Sequence, residues 1–238
     1  MSEAFTRKNH RRIAEILAAL RPQLLSDCRC LFGGGTAIAL MYGEFRESVD
    51  VDFLVSDKEG YRELRKLATD SGITSLLKPE QHHIQQAKSV RADQYGIRTA
   101  LKIADISIKF EIVLEGRIEL ELASPNRSIC GIKALSECDM VASKLLANSD
   151  RWRDQAVFSR DIIDLAMMRP ADKSLEAGFI KATAAYGASI GNDVEKAVHW
   201  IADSESWLKE CHRHLQINVP LAVVWKQIKT LQKRLADL

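Results

Sequence analysis

The sequence predicts an α+β fold in which a mixed sheet with flanking helices is followed by a helical bundle. Over the first half, short segments of alternating apolar and polar residues are interleaved with amphipathic helical segments, the pattern of a mixed α/β domain. Beyond this half, helical periodicity continues almost to the last residue. A chain of 238 residues, 46% of them hydrophobic, is long enough for two small domains. We therefore expect an α/β domain at residues 1–128 and a helical domain at residues 129–238.

Composition and charge exclude several broad classes of protein. The formal net charge of +2 is too small to indicate nucleic-acid binding by itself. No apolar run reaches the length of a membrane span, and the N-terminal residues lack the apolar core of a signal peptide. The five cysteines have no zinc-type spacing, which favours reduced thiols. We expect a cytoplasmic protein that is not bound to a membrane.

The α/β half begins with a helix over Asn9–Leu20, whose apolar residues recur at helical spacing. The segment Leu31–Val55 then combines a short strand, a glycine turn, a short helix and a second strand. We place the turn at Gly33–Thr36, the helix at Ala37–Tyr42 and the second strand at Val51–Val55. This segment carries the first candidate functional residues.

Two carboxylates and a glycine turn lie close together in this segment. Alternate residues of a strand point to the same face, so Asp50 and Asp52 project together. Glycines let a phosphate approach the backbone, and the N-terminus of a helix attracts anions. The turn is not a P-loop, because no Gly-Lys-Ser/Thr follows, and it lacks the third glycine of a dinucleotide fingerprint. The combination indicates Mg²⁺-dependent phosphate chemistry.

A third carboxylate lies on a later strand. After a helix over Lys58–Asp70, the strands Gly96–Ile103 and Asp105–Leu114 are joined by a short loop, which predicts an antiparallel hairpin. Glu111 is on the polar side of the second strand. Two interpretations are open: the strand lies beside Val51–Val55 and Glu111 joins the two aspartates, or Glu111 faces solvent on an edge strand.

The second half reads as a series of helices. One runs from Ser136, in a capping-box pattern, to about Asn148, and the next covers Trp152–Met168. About four more follow over Lys173–Leu238, the last of them at Leu221–Leu238. We expect these helices to pack into a bundle.

Two further carboxylates fall among apolar residues of the second half. Asp161 and Asp164 are three residues apart and share one face of the predicted helix. An unpaired buried charge is costly, so they need a cationic partner, and Lys144 or Arg160 would supply it. The alternative to a functional site is a structural ion pair between two helices.

Taken together, these motifs resemble a known family. Gly34-Gly35 followed after fourteen residues by Asp50-x-Asp52 is similar to the signature of the DNA-polymerase-β-like nucleotidyltransferases. Gly34-Gly35-Thr36-Ala37 with Arg46-x-Ser48-x-Asp50-x-Asp52, and the later Lys144 with Arg160-Asp161-x-x-Asp164, resemble the AbiEii-type (AbiEii/AbiGii) nucleotidyltransferase toxins of bacteria. The resemblance implies a nucleotidyltransferase fold whose active-site cleft the helical domain completes.

The resemblance also implies roles for the candidate residues. Asp50, Asp52 and Glu111 would bind one or two Mg²⁺ ions, and Glu111 would help to deprotonate the acceptor. Lys144 would neutralise phosphate charge, and Asp161 would orient it or contact the base. These five are the expected catalytic residues. The expected nucleotide-binding residues are Gly34, Gly35, Thr36, Arg46, Ser48, Lys144 and Asp164.

The implied reaction transfers an NMP from an NTP to an acceptor hydroxyl and releases pyrophosphate. The resemblance implies RNA, in particular the 3′ end of tRNA, as the acceptor. It also implies a cognate antitoxin protein in a bacterial toxin–antitoxin or phage-abortive-infection system. Two alternatives stay open from the sequence: transfer of AMP to a protein hydroxyl, and a non-catalytic module that binds a nucleotide or another partner.

Overall fold

The computed structural model describes residues 5–122 and 126–238, which form two compact units. One unit, the α/β unit, consists of Met1–Met41 and Ser48–Ser136. The other, the helical unit, consists of Glu137–Leu238 together with the short segment Tyr42–Glu47. This segment is tied into the helical unit by backbone hydrogen bonds, since the amide of Glu47 donates to the carbonyl of Leu215 at 3.0 Å.

The α/β unit contains four helices and eight short strands among its described residues. In chain order these are α1 Lys8–Ala19, α2 Pro22–Asp27, β1 Leu31–Phe32, α3 Gly34–Met41, β2 Val51–Val55, α4 Lys58–Ser71, β3 Ile84–Gln86, β4 Arg91–Ala92, β5 Gly96–Ile103, β6 Ile106–Leu114, β7 Ser128–Ile129 and β8 Ile132–Lys133.

The sheet of the α/β unit is mixed, as the sequence predicts. Its strand order is β1-β2-β6-β5-β3, and β4 also pairs with β5. β2 and β6 are parallel, whereas the other neighbouring strands in the sheet are antiparallel. The predicted hairpin is confirmed as β5 and β6. Because β6 lies between β2 and β5, Glu111 is on an interior strand, and the edge-strand interpretation is wrong.

Aromatic packing holds the strands around the candidate site together. Phe32 of β1, Phe53 of β2 and Phe110 of β6 are fully buried and lie in a row across the sheet. Successive ring centroids are 5.5 and 5.6 Å apart. Such tilted pairs contribute about 0.5–1.5 kcal/mol each beyond the burial of their area. These residues alternate with the polar ones on the opposite face, which fixes the direction in which the carboxylates point.

The helix after the glycine turn starts earlier than the sequence predicts. α3 begins at Gly34 instead of Ala37, so two of the three glycines lie within it. Gly34 has φ of +68°, a left-handed conformation that costs glycine little. The chain therefore turns from β1 into α3 at this residue and needs no separate four-residue turn.

The helical unit contains six α-helices among its described residues. They are α5 Glu137–Arg151, α6 Arg160–Met168, α7 Asp172–Tyr186, α8 Ser189–Asp203, α9 Glu205–His214 and α10 Leu221–Ala236. The four helices expected after Lys173 are confirmed as α7 to α10. In the described part of the chain, no helix combines the length and the apolar character that crossing a membrane requires.

The predicted continuous helix over Trp152–Met168 is wrong. α5 ends at Arg151, a short 3₁₀ turn follows at Gln155–Val157, and α6 begins at Arg160. Phe158 and Ser159 have φ of 51° and 48°, so two successive residues are left-handed. This conformation ends the helical path and redirects the chain, which allows α6 to pack against α5.

Candidate active site

The glycine turn lies directly against Asp52 in the α/β unit. The amide of Gly33 donates to the backbone carbonyl of Asp52 at 2.9 Å. A Cβ atom placed on Gly34 would lie only 2.7 Å from the Asp52 Oδ2 atom. A side chain at this position would therefore displace the carboxylate or the backbone. The N-terminus of α3 thus lies next to the Asp52 carboxylate, an arrangement that suits the binding of phosphate and a cation.

The two side-chain hydroxyl groups predicted to contact the nucleotide, those of Thr36 and Ser48, form a hydrogen bond with each other. Thr36 Oγ1 and Ser48 Oγ are 2.8 Å apart, and Thr36 is almost fully buried. The amide of Ser48 donates to Nε2 of His10, a buried residue of α1 that the sequence did not single out. These contacts fix the polar loop that leads from Ser48 to Asp50.

Glu111 lies beside Asp52 on the neighbouring strand and forms ion pairs with two cationic side chains. The parallel register pairs Asp52 with Glu111 across β2 and β6. Glu111 Oε1 accepts from Arg98 Nε at 2.7 Å, and Oε2 forms an ion pair with the Lys109 ammonium. Arg98 also pairs with Asp93 at 3.3 Å. Sequence reasoning missed both cations, although Lys109 shares the alternating polar face with Glu111.

The pKa of Lys109 is raised by the carboxylates around it. Burial acts to lower the pKa of this ammonium, but the hydrogen bond and the negative charge of Glu111 more than offset it. Asp52 and Asp50 contribute in the same direction, and the pKa is raised from its ordinary value. Lys109 therefore stays charged at neutral pH and interacts with all three predicted metal ligands.

The residue types at this site fit a hard divalent cation. Carboxylate oxygens are ligands that Mg²⁺ prefers. Within the described residues, however, the oxygens of Asp50, Asp52 and Glu111 do not all come within 4.8 Å of one another. An ion bound to Glu111 would have Arg98 and Lys109 as close neighbours of like charge.

A second cluster of predicted residues lies in the helical unit. Arg46 forms a bidentate pair with Asp164, with Nε to Oδ1 at 2.6 Å and Nη2 to Oδ2 at 2.8 Å. The side chain of Arg46 is 4% exposed and that of Asp164 is fully buried. Both were predicted to bind nucleotide. The structure places Asp164 with both of its oxygens facing cations.

Lys144 and Arg151 extend this pair into a network. Lys144 Nζ lies 2.9 Å from Asp161 Oδ1 and 2.6 Å from Asp164 Oδ2, so Lys144 is the partner that the two carboxylates require. Arg151 donates from Nε and Nη2 to the two oxygens of Asp161 at 2.8 and 3.0 Å. We call these five residues, Arg46, Lys144, Arg151, Asp161 and Asp164, the cation network.

The charges of the cation network do not cancel. Three cations face two carboxylates, which leaves one net positive charge (3 − 2 = +1). Burial would raise the pKa of Asp161, but Lys144 and Arg151 hold it well below its ordinary value. Burial would also raise the pKa of Asp164, but Arg46 and Lys144 hold it below its ordinary value. Both carboxylates are therefore ionised at neutral pH.

Comparisons with known proteins identify the family and related folds. The family model of the nucleotidyl transferase AbiEii toxin of type IV toxin–antitoxin systems matches residues 15–236. A crystal structure of a candidate nucleotidyltransferase from H. pylori superposes with a TM-score of 0.54 at 16% identity, covering 96% of each chain. JHP933 from Helicobacter pylori superposes with a TM-score of 0.53 at 16% identity, covering 95% of this chain and 92% of its own. No curated protein sequence matches the chain.

Proposed function

Because the chain belongs to the AbiEii family of nucleotidyltransferase toxins, we propose that it transfers an NMP from an NTP to RNA. The acceptor in this proposal is the 3′ hydroxyl of tRNA, and the physiological effect is that of the toxin in a toxin–antitoxin pair with a cognate antitoxin protein. The observation that carries the proposal is the contact of the glycine start of α3 with Asp52, because a triphosphate and its cation need this arrangement.

Asp50 and Asp52 are the proposed ligands of Mg²⁺, with Glu111 beside them on β6. A bound Mg²⁺ would neutralise charge on the triphosphate and on the leaving pyrophosphate. The amides at Gly34 and Gly35, at the N-terminus of α3, are the proposed donors to the phosphate oxygens. Thr36, held by Ser48, keeps this end of the helix in place.

We infer from the family that the cation network contributes to nucleotide binding. Lys144 neutralises phosphate charge, and Asp161 orients Lys144 through their 2.9 Å contact. Since Asp164 is fully buried, its proposed part in nucleotide binding is to hold Arg46 and Lys144 in place. In the transfer step, the acceptor oxygen bonds to the α-phosphorus and the bond from this phosphorus to the β-phosphate oxygen breaks. Pyrophosphate leaves, and the hydroxyl proton passes to solvent.

Incubation of the purified protein with each α-³²P-labelled NTP tests the acceptor. One arm contains total tRNA, and the other contains lysate protein freed of RNA. We expect label in tRNA from at least one NTP and no label when the γ-phosphate carries the ³²P. Label confined to protein would favour AMP-type transfer to a protein hydroxyl. An absence of label in both arms would contradict transferase activity towards these acceptors and favour a binding module.

A further inference from the structure

Four charged residues share one face of the sheet in the α/β unit. The register of β5, β6 and β2 places Arg98, Glu111 and Asp52 in a row across three strands. Lys109 precedes Glu111 by two residues and so lies on the same face. Val51 pairs with Phe110, and continuing this register by one residue puts Lys109 beside Asp50. Cations and carboxylates thus alternate around the place where metal ions would bind.

Each oxygen of Glu111 faces its own cation. Arg98 donates to Oε1 at 2.7 Å, and Lys109 pairs with Oε2. Arg98 is also held from its other side by Asp93, so it is fixed by two carboxylates. The Glu111 side chain is 13% exposed, whereas that of Lys109 is 53% exposed. An ion that used Glu111 as a ligand would have both of these cations as close neighbours of like charge.

The charges on this face are suited to one divalent ion. With Asp93 included, four carboxylates and two cations sum to −2 (2 − 4), so one divalent ion brings the group to neutrality (−2 + 2 = 0). A second ion would bring the sum to +2 (−2 + 4), and it would lie beside the Lys109 ammonium that pairs with Glu111. Like charges at contact distance in a partly buried site repel strongly.

We propose that Lys109 takes the place of the second divalent ion, so that the NTP is bound with a single ion held by Asp50 and Asp52. The inference rests on the proposed function, since it concerns the metal stoichiometry of that same site. In this proposal, the Lys109 ammonium neutralises the Glu111 carboxylate and adds positive charge near the phosphates. Glu111 then acts as the anchor of Lys109, together with Arg98, and does not bind metal directly.

Counting bound Mn²⁺ tests this inference without measuring turnover. Free Mn²⁺ is followed by electron paramagnetic resonance during titration of the protein in the presence of an NTP analogue with a non-hydrolysable α,β-bridge. The unmodified protein should bind one Mn²⁺ per nucleotide complex, and Lys109→Ala should bind two. Lys109→Arg, which keeps the charge, and Lys102→Ala, an exposed lysine elsewhere on β5, should both bind one.

The possible outcomes distinguish failure of the single-ion inference from failure of the proposed function. Two Mn²⁺ ions in the unmodified protein would overturn the inference but leave the proposed function standing. One ion in Lys109→Ala, with circular dichroism unchanged, would also overturn it, because Lys109 would then not be what excludes the second ion. If no Mn²⁺ bound in the presence of the nucleotide, the proposed function would fail and the inference would fail with it.

Discussion

At Gly34 the chain passes from β1 into α3 with a backbone conformation that disfavours any side chain. The same residue lies so close to Asp52 that even a methyl group would overlap the carboxylate. Two independent constraints, one on the backbone and one on space, therefore require glycine here. Both serve the site, because they bring the helix N-terminus up to the acidic residues that we propose to hold Mg²⁺.

Gly34→Ala should lower the rate of nucleotide transfer by about 100-fold, the usual effect of displacing a reacting group by roughly 1 Å. It should also cost about 1–2 kcal/mol of stability, because alanine is strained at positive φ. Gly43→Ala is the matched control. Its φ is +83°, and no atom of the described residues lies within 4 Å of a Cβ built there. Transfer rates and urea unfolding would be measured on both variants. Equal activity of the two variants would contradict the role given to Gly34.

The buried pair of Arg46 and Asp164 joins residues that are 118 positions apart in the sequence. Arg46→Ala leaves Asp164 with only part of its compensating charge in a fully buried environment. We expect a loss of about 3–5 kcal/mol in the free energy of unfolding, measured with urea.

A control for this prediction is Arg62→Ala, which removes an exposed pair with Glu59. The loss there should be about 0–1 kcal/mol, since exposed ion pairs contribute little. If both variants lost the same small amount, the Arg46–Asp164 contact would not be the structural tie that its burial indicates.

Among the elements, the break between α5 and α6 decides where Asp161 lies. Phe158 and Ser159 are both left-handed, which non-glycine residues seldom adopt in succession. α9 supports this conformation from outside. Its Trp207 donates from Nε1 to Ser159 Oγ at 2.9 Å, and its His214 ring stacks on Phe158 at 4.0 Å. Because α6 begins right after the break, the same contacts set the position of its first turn, which carries Asp161.

A double-mutant cycle on Ser159→Ala and Trp207→Phe measures this support. Both changes remove the same hydrogen bond, and phenylalanine keeps an aromatic ring in the stack. The coupling energy in unfolding experiments should be about 0.5–1.5 kcal/mol, the usual contribution of a hydrogen bond. The cycle of Ser159→Ala with Trp225→Phe, a tryptophan that bonds to Ala202 instead, should give no coupling. Equal coupling in the two cycles would contradict the proposed support.

Elements with a strong local pattern were predictable from the sequence. The alternation in β2, β5 and β6 gave the strands, the hairpin and the face of Glu111, and residue spacing gave the four last helices. The break before α6 was not predictable, because neither phenylalanine nor serine favours the left-handed region. Arg98, Lys109 and Arg151 were also missed. Their roles come from contacts across strands or between helices. Such contacts depend on strand register and helix packing, and no local pattern in the sequence marks them.

On the scale of the whole molecule, the lowered pKa values of Asp161 and Asp164 predict how stability depends on pH. Both lie below the ordinary value of 3.8, so the folded protein holds these groups ionised more strongly than the unfolded chain does. Their contribution is complete above about pH 5, where both states are ionised. As the pH falls below about 4, the unfolded chain takes up protons first, and this stability is progressively lost.

Urea unfolding between pH 2.5 and 7 would show this dependence. Asp161→Asn should flatten the acid slope of the unfolding free energy relative to the unmodified protein, and Asp70→Asn, at an exposed position on α4, should not change it. An unchanged slope in Asp161→Asn would mean that the cation network does not hold Asp161 ionised.

On the scale of the whole molecule, the aspartate pair is the proposed centre of nucleotide transfer. The most direct test is the rate at which Asp52→Ala transfers label from an α-³²P-labelled NTP to its acceptor, compared with Asp70→Ala. Loss of a metal ligand removes several kcal/mol of transition-state stabilisation, so the Asp52→Ala rate should fall by at least about 100-fold. Asp70→Ala should transfer normally. A normal rate for Asp52→Ala, with its circular dichroism and unfolding curve unchanged, would contradict the account.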